Sequence, residues 1–299
     1  MTRETLADLP KVVLHHQVTT EDLAVQVKKL AADHVVYAEL LLELPGGEQT
    51  DLDAALRGLD AAEIDARVVL SAAHDGAVAE TVELVTANFG DKVIGFNLAG
   101  VDEEHLASAH AATLGQLRTA FIPFSVDFGE DAEVAAMSDA ILQGAARLGN
   151  GVHIFEDFAV DVEGIHPQRM SAWVRDRHLL LTLAPTNSVD EETALADHPL
   201  PLLQSLGFTC TAHPGTGSMT EELWALAETF DYGLDEFFEL TTAAIDHSFA
   251  PQERRDQLLV REILPGYEEL ADPDTRDTGV TTDTAADAAA AESAWNEEE

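Results

Sequence analysis

Apolar positions along this chain fall into short, nearly unbroken runs, and between the runs they recur every three or four residues. The runs predict strands at Val12–Gln17, Val35–Glu43, Ala66–Ala72, Val93–Ala99, Thr119–Asp127, Arg147–Val152, Leu179–Pro185 and Phe208–Pro214. Val35-Val36-Tyr37-Ala38-Glu39-Leu40-Leu41 lacks the in–out alternation of a half-exposed strand, as does Leu179-Leu180-Leu181-Thr182-Leu183. That pattern suits parallel strands covered on both faces. Leu52–Leu59, Ala77–Asn88, Ser138–Ala146 and Thr220–Thr229 carry helical spacing. Thr220-Glu221-Glu222 reads as a helix start, because carboxylates are favourable at the positive end of a helix dipole. Alternating strand and helix to this extent predicts an α/β fold closed as a (β/α)8 TIM barrel, rather than an open doubly wound sheet. Residues 234–270 read as further helices covering the barrel. The last stretch, Asp272–Glu299, is rich in Ala, Asp, Thr and Glu, with Trp295 as its only aromatic. It is expected to be a disordered acidic tail, so the division is a barrel over 1–270 and a tail over 271–299.

With 299 residues and 46% hydrophobic content, the chain is long enough for one large barrel with a substantial core. No apolar run approaches the roughly 18 residues of a membrane span. Met1–Leu9 carries charge of both signs and no apolar centre, so no signal peptide is expected and a cytoplasmic location is. Cys210 is the single cysteine. It excludes an intrachain disulfide and any zinc site built on paired cysteines, including that of the C-x-x-C nucleobase deaminases. The net charge is −40, from 16 basic and 56 acidic residues. Such a surface repels phosphates and anionic lipid, so neither nucleic acid nor membrane is an expected partner. The oligomeric state is not legible.

In a barrel of this kind the functional site lies at the C-terminal ends of the strands. The first strand ends Leu14-His15-His16-Gln17, the fourth Gly95-Phe96-Asn97-Leu98-Ala99-Gly100, and the fifth Val126-Asp127-Phe128-Gly129-Glu130. The sixth reads Arg147-Leu148-Gly149-Asn150-Gly151 and the seventh ends Ala184-Pro185-Thr186-Asn187. Leu195-Ala196-Asp197-His198-Pro199 follows, and the eighth ends Thr211-Ala212-His213-Pro214. In this order and spacing, from about Leu9 to Leu270, these motifs resemble the adenosine deaminase family of metal-dependent hydrolases.

The resemblance implies one zinc ion at the barrel mouth and a purine substrate. The family's first-strand motif L-H-x-H supplies two histidine ligands, and residues i and i+2 of a strand share a face. The matching residues are His15 and Gln17, with His16 expected to point outward to the helices. Gln17 is a poor zinc ligand, since a neutral amide oxygen replaces imidazole badly. In H-A-G-E the histidine binds zinc and the glutamate protonates the purine; here these are Asp127 and Glu130. In R-I-G-H-G the histidine helps activate water; here Asn150 stands in its place and cannot act as a base at neutral pH. The aspartates of T-D-D-P, one binding zinc and one orienting hydroxide or substrate, are matched by Ala212 and His213. Thr19 occupies the place of a sugar-contacting aspartate. Gly100 matches a backbone contact to the purine, although backbone geometry explains a glycine there equally well.

A catalytic zinc needs at least three protein ligands and an open water position. The expectation is therefore a barrel that binds a purine nucleoside or base, or regulates, without a metal and without hydrolysis. The alternative is a divergent adenosine or adenine deaminase with a rebuilt zinc site from His15, Asp127 and His213, and Glu130 as proton donor. A third reading, metal-free acid–base chemistry by His213 with Asp127 or Glu130, has no specific support. Without a metal, mutual repulsion of Asp127 and Glu130 is expected to raise one pKa or to draw in His15 or His213 as a counter-charge. His153 and His198 read as structural histidines.

Overall fold

The computed structural model describes residues 1–271 apart from 45, 60–61, 130–131, 163, 189–193 and 216. The expected tail, including Trp295, lies outside the described residues except for Ala271, which ends a helix.

Eight parallel strands form a nearly closed barrel in the order β1 (Lys11–Val18), β2 (Val35–Glu43), β3 (Asp65–Ala73), β4 (Val93–Val101), β5 (Phe124–Phe128), β6 (Arg147–Gly149), β9 (Leu180–Leu183) and β10 (Cys210–Ala212). Each predicted run overlaps one of them. A separate antiparallel hairpin, β7 (Phe158–Asp161) and β8 (Gly164–Pro167), was not foreseen. The strands bury both faces, as their unbroken apolar runs require: every residue of β5 is buried, and all of β2 but Val36 and Glu43.

Helices link the strands and pack outside them. Gln49–Leu59, Val78–Asn88, Val134–Gln143 and Met219–Phe230 correspond to the four predicted segments. The third stops three residues short of the predicted end, because Gly144 takes the left-handed conformation (φ 92°) and closes the helix. Ser218 begins the fourth with a capping box: its Oγ accepts from the Glu221 N–H while its own N–H donates to the Glu221 carboxylate. The predicted fifth strand began too early, since a helix holds Ala111–Thr119. The sixth ends at Gly149, because Asn150 is left-handed (φ 52°). Residues 234–270 are helical cover as expected, through Leu234–Asp246, Gln252–Leu258 and Leu264–Ala271. Among the described residues no helix is long and apolar enough to cross a membrane.

Low in the barrel sits a buried ion pair, with Arg147 Nη2 2.6 Å from Glu39 Oε2. Glu39 also accepts from the Tyr37 hydroxyl at 2.9 Å and from the Phe249 N–H at 2.6 Å. The Arg147 guanidinium lies 3.5 Å over the Phe249 ring. A charge this deep persists only with a partner of this kind.

Candidate functional site

Three residues named from the sequence meet at the C-terminal end of the barrel. His15 Nε2 lies 3.2 Å from Asp127 Oδ2, and the His15 ring stacks on that of His213 with centroids 4.5 Å apart and planes at 29°. All three are buried. Strand geometry brings them together: β1 and β5 turn His15 and Asp127 inward, and the His213 N–H continues the ladder past β10 by donating to Leu183 O at 2.9 Å.

A neutral polar tier lies behind Asp127. Asn97 Nδ2 donates to Asp127 Oδ2 at 2.9 Å and to Ser71 Oγ at 3.1 Å, while Ser125 Oγ donates to Asn97 Oδ1 at 2.7 Å. The hydroxyl fixes which end of the amide faces the carboxylate. Gly149 opposes the pair. A Cβ at that position would lie 1.9 Å from Asp127 Oδ1 and 3.0 Å from His15 Cε1, so only glycine leaves the carboxyl its space.

Burial dominates the electrostatics here. It pushes the Asp127 carboxyl up to about 7, against the lowering effects of the Asn97 hydrogen bond and of Arg147. Burial first, then the Arg147 charge, brings His15 down to about 3. His213 is held well below its ordinary value, again chiefly by burial. The 3.2 Å contact therefore joins a neutral imidazole to a carboxyl that shares its proton, and is not a fully formed ion pair. Among the described residues, Asp127 Oδ1 and His213 Nε2 have no hydrogen-bond partner.

Above this floor opens a cavity of about 700 Å³. Phe128 and Phe155 supply aromatic surface to it, and Asn150, Asn187, Asp197 and His198 supply polar groups. Asn150 sits at the exposed rim with its Nδ2 3.4 Å from Phe128 O. His16, half-buried, contributes to the cavity wall. His15 and Gln17, two residues apart, both line this cavity, and the pairing of β1 with β2 slips between Val13 and His16. His15 is buried and Gln17 is exposed at the rim.

The other residues named from the sequence stand apart from this cluster or outside the described residues. Thr19 is exposed, its N–H and hydroxyl both donating to Asp22 Oδ1 at the start of helix Leu23–Ala32, and it lies outside the cavity lining. Gly100 also lies outside the lining; its φ of 74° and the His74 ring beside it account for the glycine by backbone geometry. Ala212 is buried against β9, in register with Leu183. Glu130 falls outside the described residues. Sequence reasoning missed the Asn97 tier and gave His198 only a structural role, though it lines the cavity. A polar residue inside an apolar strand, as at Asn97, is the signal that would have pointed to the tier.

The family model for adenosine deaminase matches residues 8–263. The chain belongs to the adenosine deaminase family. An adenosine deaminase of Mycobacteroides abscessus is 31% identical over 266 residues, spanning 81% of this chain and 74% of that protein. One from Mycobacterium tuberculosis is 30% identical over 266 residues, spanning 81% of this chain and 73% of its own length. An amidohydrolase of Burkholderia ambifaria, solved with bound zinc, superposes with a TM-score of 0.75 at 17% identity, over 92% of this chain and 95% of that one. The N6-methyl-AMP deaminase of Arabidopsis thaliana gives 0.70 at 16% identity, over 87% and 97%. At these identities the structural likeness speaks for the fold.

At the places matched to the family's zinc ligands, this adenosine deaminase-family chain carries His15, Gln17, Asp127 and Ala212. Ala212 offers no ligand atom, and Gln17 is a neutral amide at the rim. Stacked imidazoles direct their nitrogen lone pairs along near-parallel planes, whereas a tetrahedral metal needs donors converging on one point. Asp127 Oδ2 is engaged by Asn97 and His15.

Proposed function

We propose that this adenosine deaminase-like barrel binds a purine base or nucleoside at its mouth and no longer performs zinc-dependent deamination. The observation that carries this reading is Ala212. Where the family's first T-D-D-P aspartate would bind metal, this chain has a buried alanine, in register with Leu183 of β9. Without a metal to lower the pKa of bound water from 15.7 towards about 7, no hydroxide is available at neutral pH. Asn150 cannot take the proton in its stead.

The purine part rests on family membership and on the cavity. The matched relatives are adenosine deaminases, and the Arabidopsis ADAL protein has been solved with IMP and with GMP. Phe128 and Phe155 offer ring faces on which a base stacks, and the Asn150 and Asn187 amides can both donate and accept at its edge. A cytoplasmic setting belongs to the same reading: the one thiol, Cys210, is buried and needs no oxidising compartment.

A second reading keeps the hydrolase. Asp127 Oδ1 and His213 Nε2 are unpartnered in the same cluster. A rotation of His213 off His15 would free a nitrogen–oxygen set for zinc, with Glu130 as proton donor. One experiment separates the two. The purified protein is assayed for zinc, iron and manganese, adenosine and adenine are followed by ultraviolet absorbance, and melting is recorded with each purine. Substoichiometric metal, no turnover and a raised melting midpoint with a purine are expected. Stoichiometric metal with turnover establishes the rebuilt hydrolase instead.

A further inference from the structure

The barrel mouth is layered by polarity. Its floor and inner wall are buried, with His15, Leu183, Ala184, His198 and His213. Its rim is exposed, and the exposed polar side chains there are Gln17, Asn150, Asn187 and Asp197. Three neutral amides and one carboxylate are partners for hydroxyl groups. A flat base belongs in the buried part, so whatever a purine ligand carries at its other end meets this rim.

The fold does not decide whether that end is a phosphate, since the Arabidopsis ADAL protein has been solved with IMP and with GMP. Charge decides it. Among the described residues that line the cavity none is a lysine or an arginine, and Asp197 is the one carboxylate. Residues 130–131 and 189–193, outside the described residues, lie close to lining residues along the chain. They add Glu130, Asp131, Asp190, Glu191 and Glu192 and no basic residue. The cavity histidines do not stand in for a cation. Burial lowers the pKa of His15, His16, His198 and His213, and His153 Nδ1 lies 2.8 Å from the Glu156 carboxylate. A phosphate dianion would enter this mouth, on a molecule of net charge −40, with nothing to neutralise it. An uncharged ligand meets no such barrier.

Asp197 also stands ready for a role whose expected holder is elsewhere. Thr19, matched to the family's sugar-contacting aspartate, spends its N–H and hydroxyl on Asp22 and lies outside the cavity lining. The Asp197 N–H donates to Ala194 O at 2.9 Å, whereas its carboxylate accepts no hydrogen bond among the described residues. Two carboxylate oxygens match the two O–H donors of a vicinal diol, and hydrogen bonds to a charged acceptor are the strong ones.

We propose that Asp197 takes the 2′ and 3′ hydroxyls of a ribose at the rim, and that this mouth admits the uncharged purine ribonucleoside and excludes its 5′-monophosphate. The proposal rests on the reading of the mouth as a purine site and adds to it the sugar and the residue that holds it.

Isothermal titration calorimetry of the full chain tests this, with adenosine and inosine, their 2′-deoxy forms, AMP, IMP, adenine and hypoxanthine. The wild type is expected to bind a ribonucleoside at least about tenfold more tightly than its 2′-deoxy form. The same margin, at least about tenfold, is expected over its 5′-monophosphate. Asp197→Ala is expected to bind ribo and deoxy forms within about threefold of each other, with free-base affinity as in wild type. Asp197→Asn keeps the shape and one acceptor and is expected to fall between; far-ultraviolet circular dichroism checks both folds. A monophosphate as tight as its nucleoside, a deoxynucleoside as tight as the ribonucleoside, or a folded Asp197→Ala chain that keeps the ribose preference would each overturn the proposal. Binding of a free base alone overturns it and leaves the purine reading standing, whereas binding of none of these compounds overturns both.

Discussion

His198 illustrates how much one tautomer decides. The Leu200 N–H donates to its Nδ1 at 3.1 Å, so the neutral ring carries its proton on Nε2, which is buried and without a partner among the described residues. Burial lowers its pKa from 6.5 to about 4. A folded value below the unfolded one means that the native state resists the proton. The cost is absent above about pH 6.5, grows as pH falls, and is complete below about pH 4, where it reaches about 3 kcal/mol. His198→Asn retains an acceptor near Nδ1 without a titratable ring. Urea unfolding across this range is expected to show the two proteins diverging below pH 6.5 in favour of the variant; parallel pH profiles would refute the assignment. At this scale the sequence located His15, Asp127 and His213 because strand ends converge in any barrel.

Strands were legible because burial on both faces leaves a continuous apolar run, and each of the eight runs overlaps a barrel strand. Their ends were less so: the left-handed Asn150 and Gly144 stop elements whose pattern continues past them. The slip in β1 could not be read either, since it arises from pairing with β2 and not from β1's own residues. The hairpin escaped notice because Phe158–Pro167 mixes apolar, acidic and proline positions without a run. Glu39 carried a signal that was passed over, a charge inside an otherwise apolar strand. Its partner Arg147 lies on β6, and the pair ties two strands that do not neighbour each other. Glu39→Gln removes the charge and leaves Arg147 buried alone. A loss of about 3–5 kcal/mol is expected in equilibrium denaturation. A loss below about 1 kcal/mol would show that water or another group compensates.

For the whole molecule, net charge sets the terms. Only Lys11, Lys28, Lys29 and Lys92 represent lysine among 56 acidic side chains, and self-repulsion at −40 favours expansion. The screening length shrinks from about 10 Å at 0.1 M salt to about 3 Å at 1 M. The melting midpoint is accordingly expected to climb by several degrees over that range of potassium chloride, measured by calorimetry at constant pH; a flat profile would mean that the surface carboxylates are already compensated locally. One tie set against this repulsion also dictates an order of events. Glu39 belongs to the second strand, yet it accepts from the backbone of Phe249, beyond the first helix that follows the barrel. On a chain emerging from the ribosome, Tyr37 and then Arg147 can meet this carboxylate first, and the Phe249 N–H can join them only after all eight barrel strands have been made.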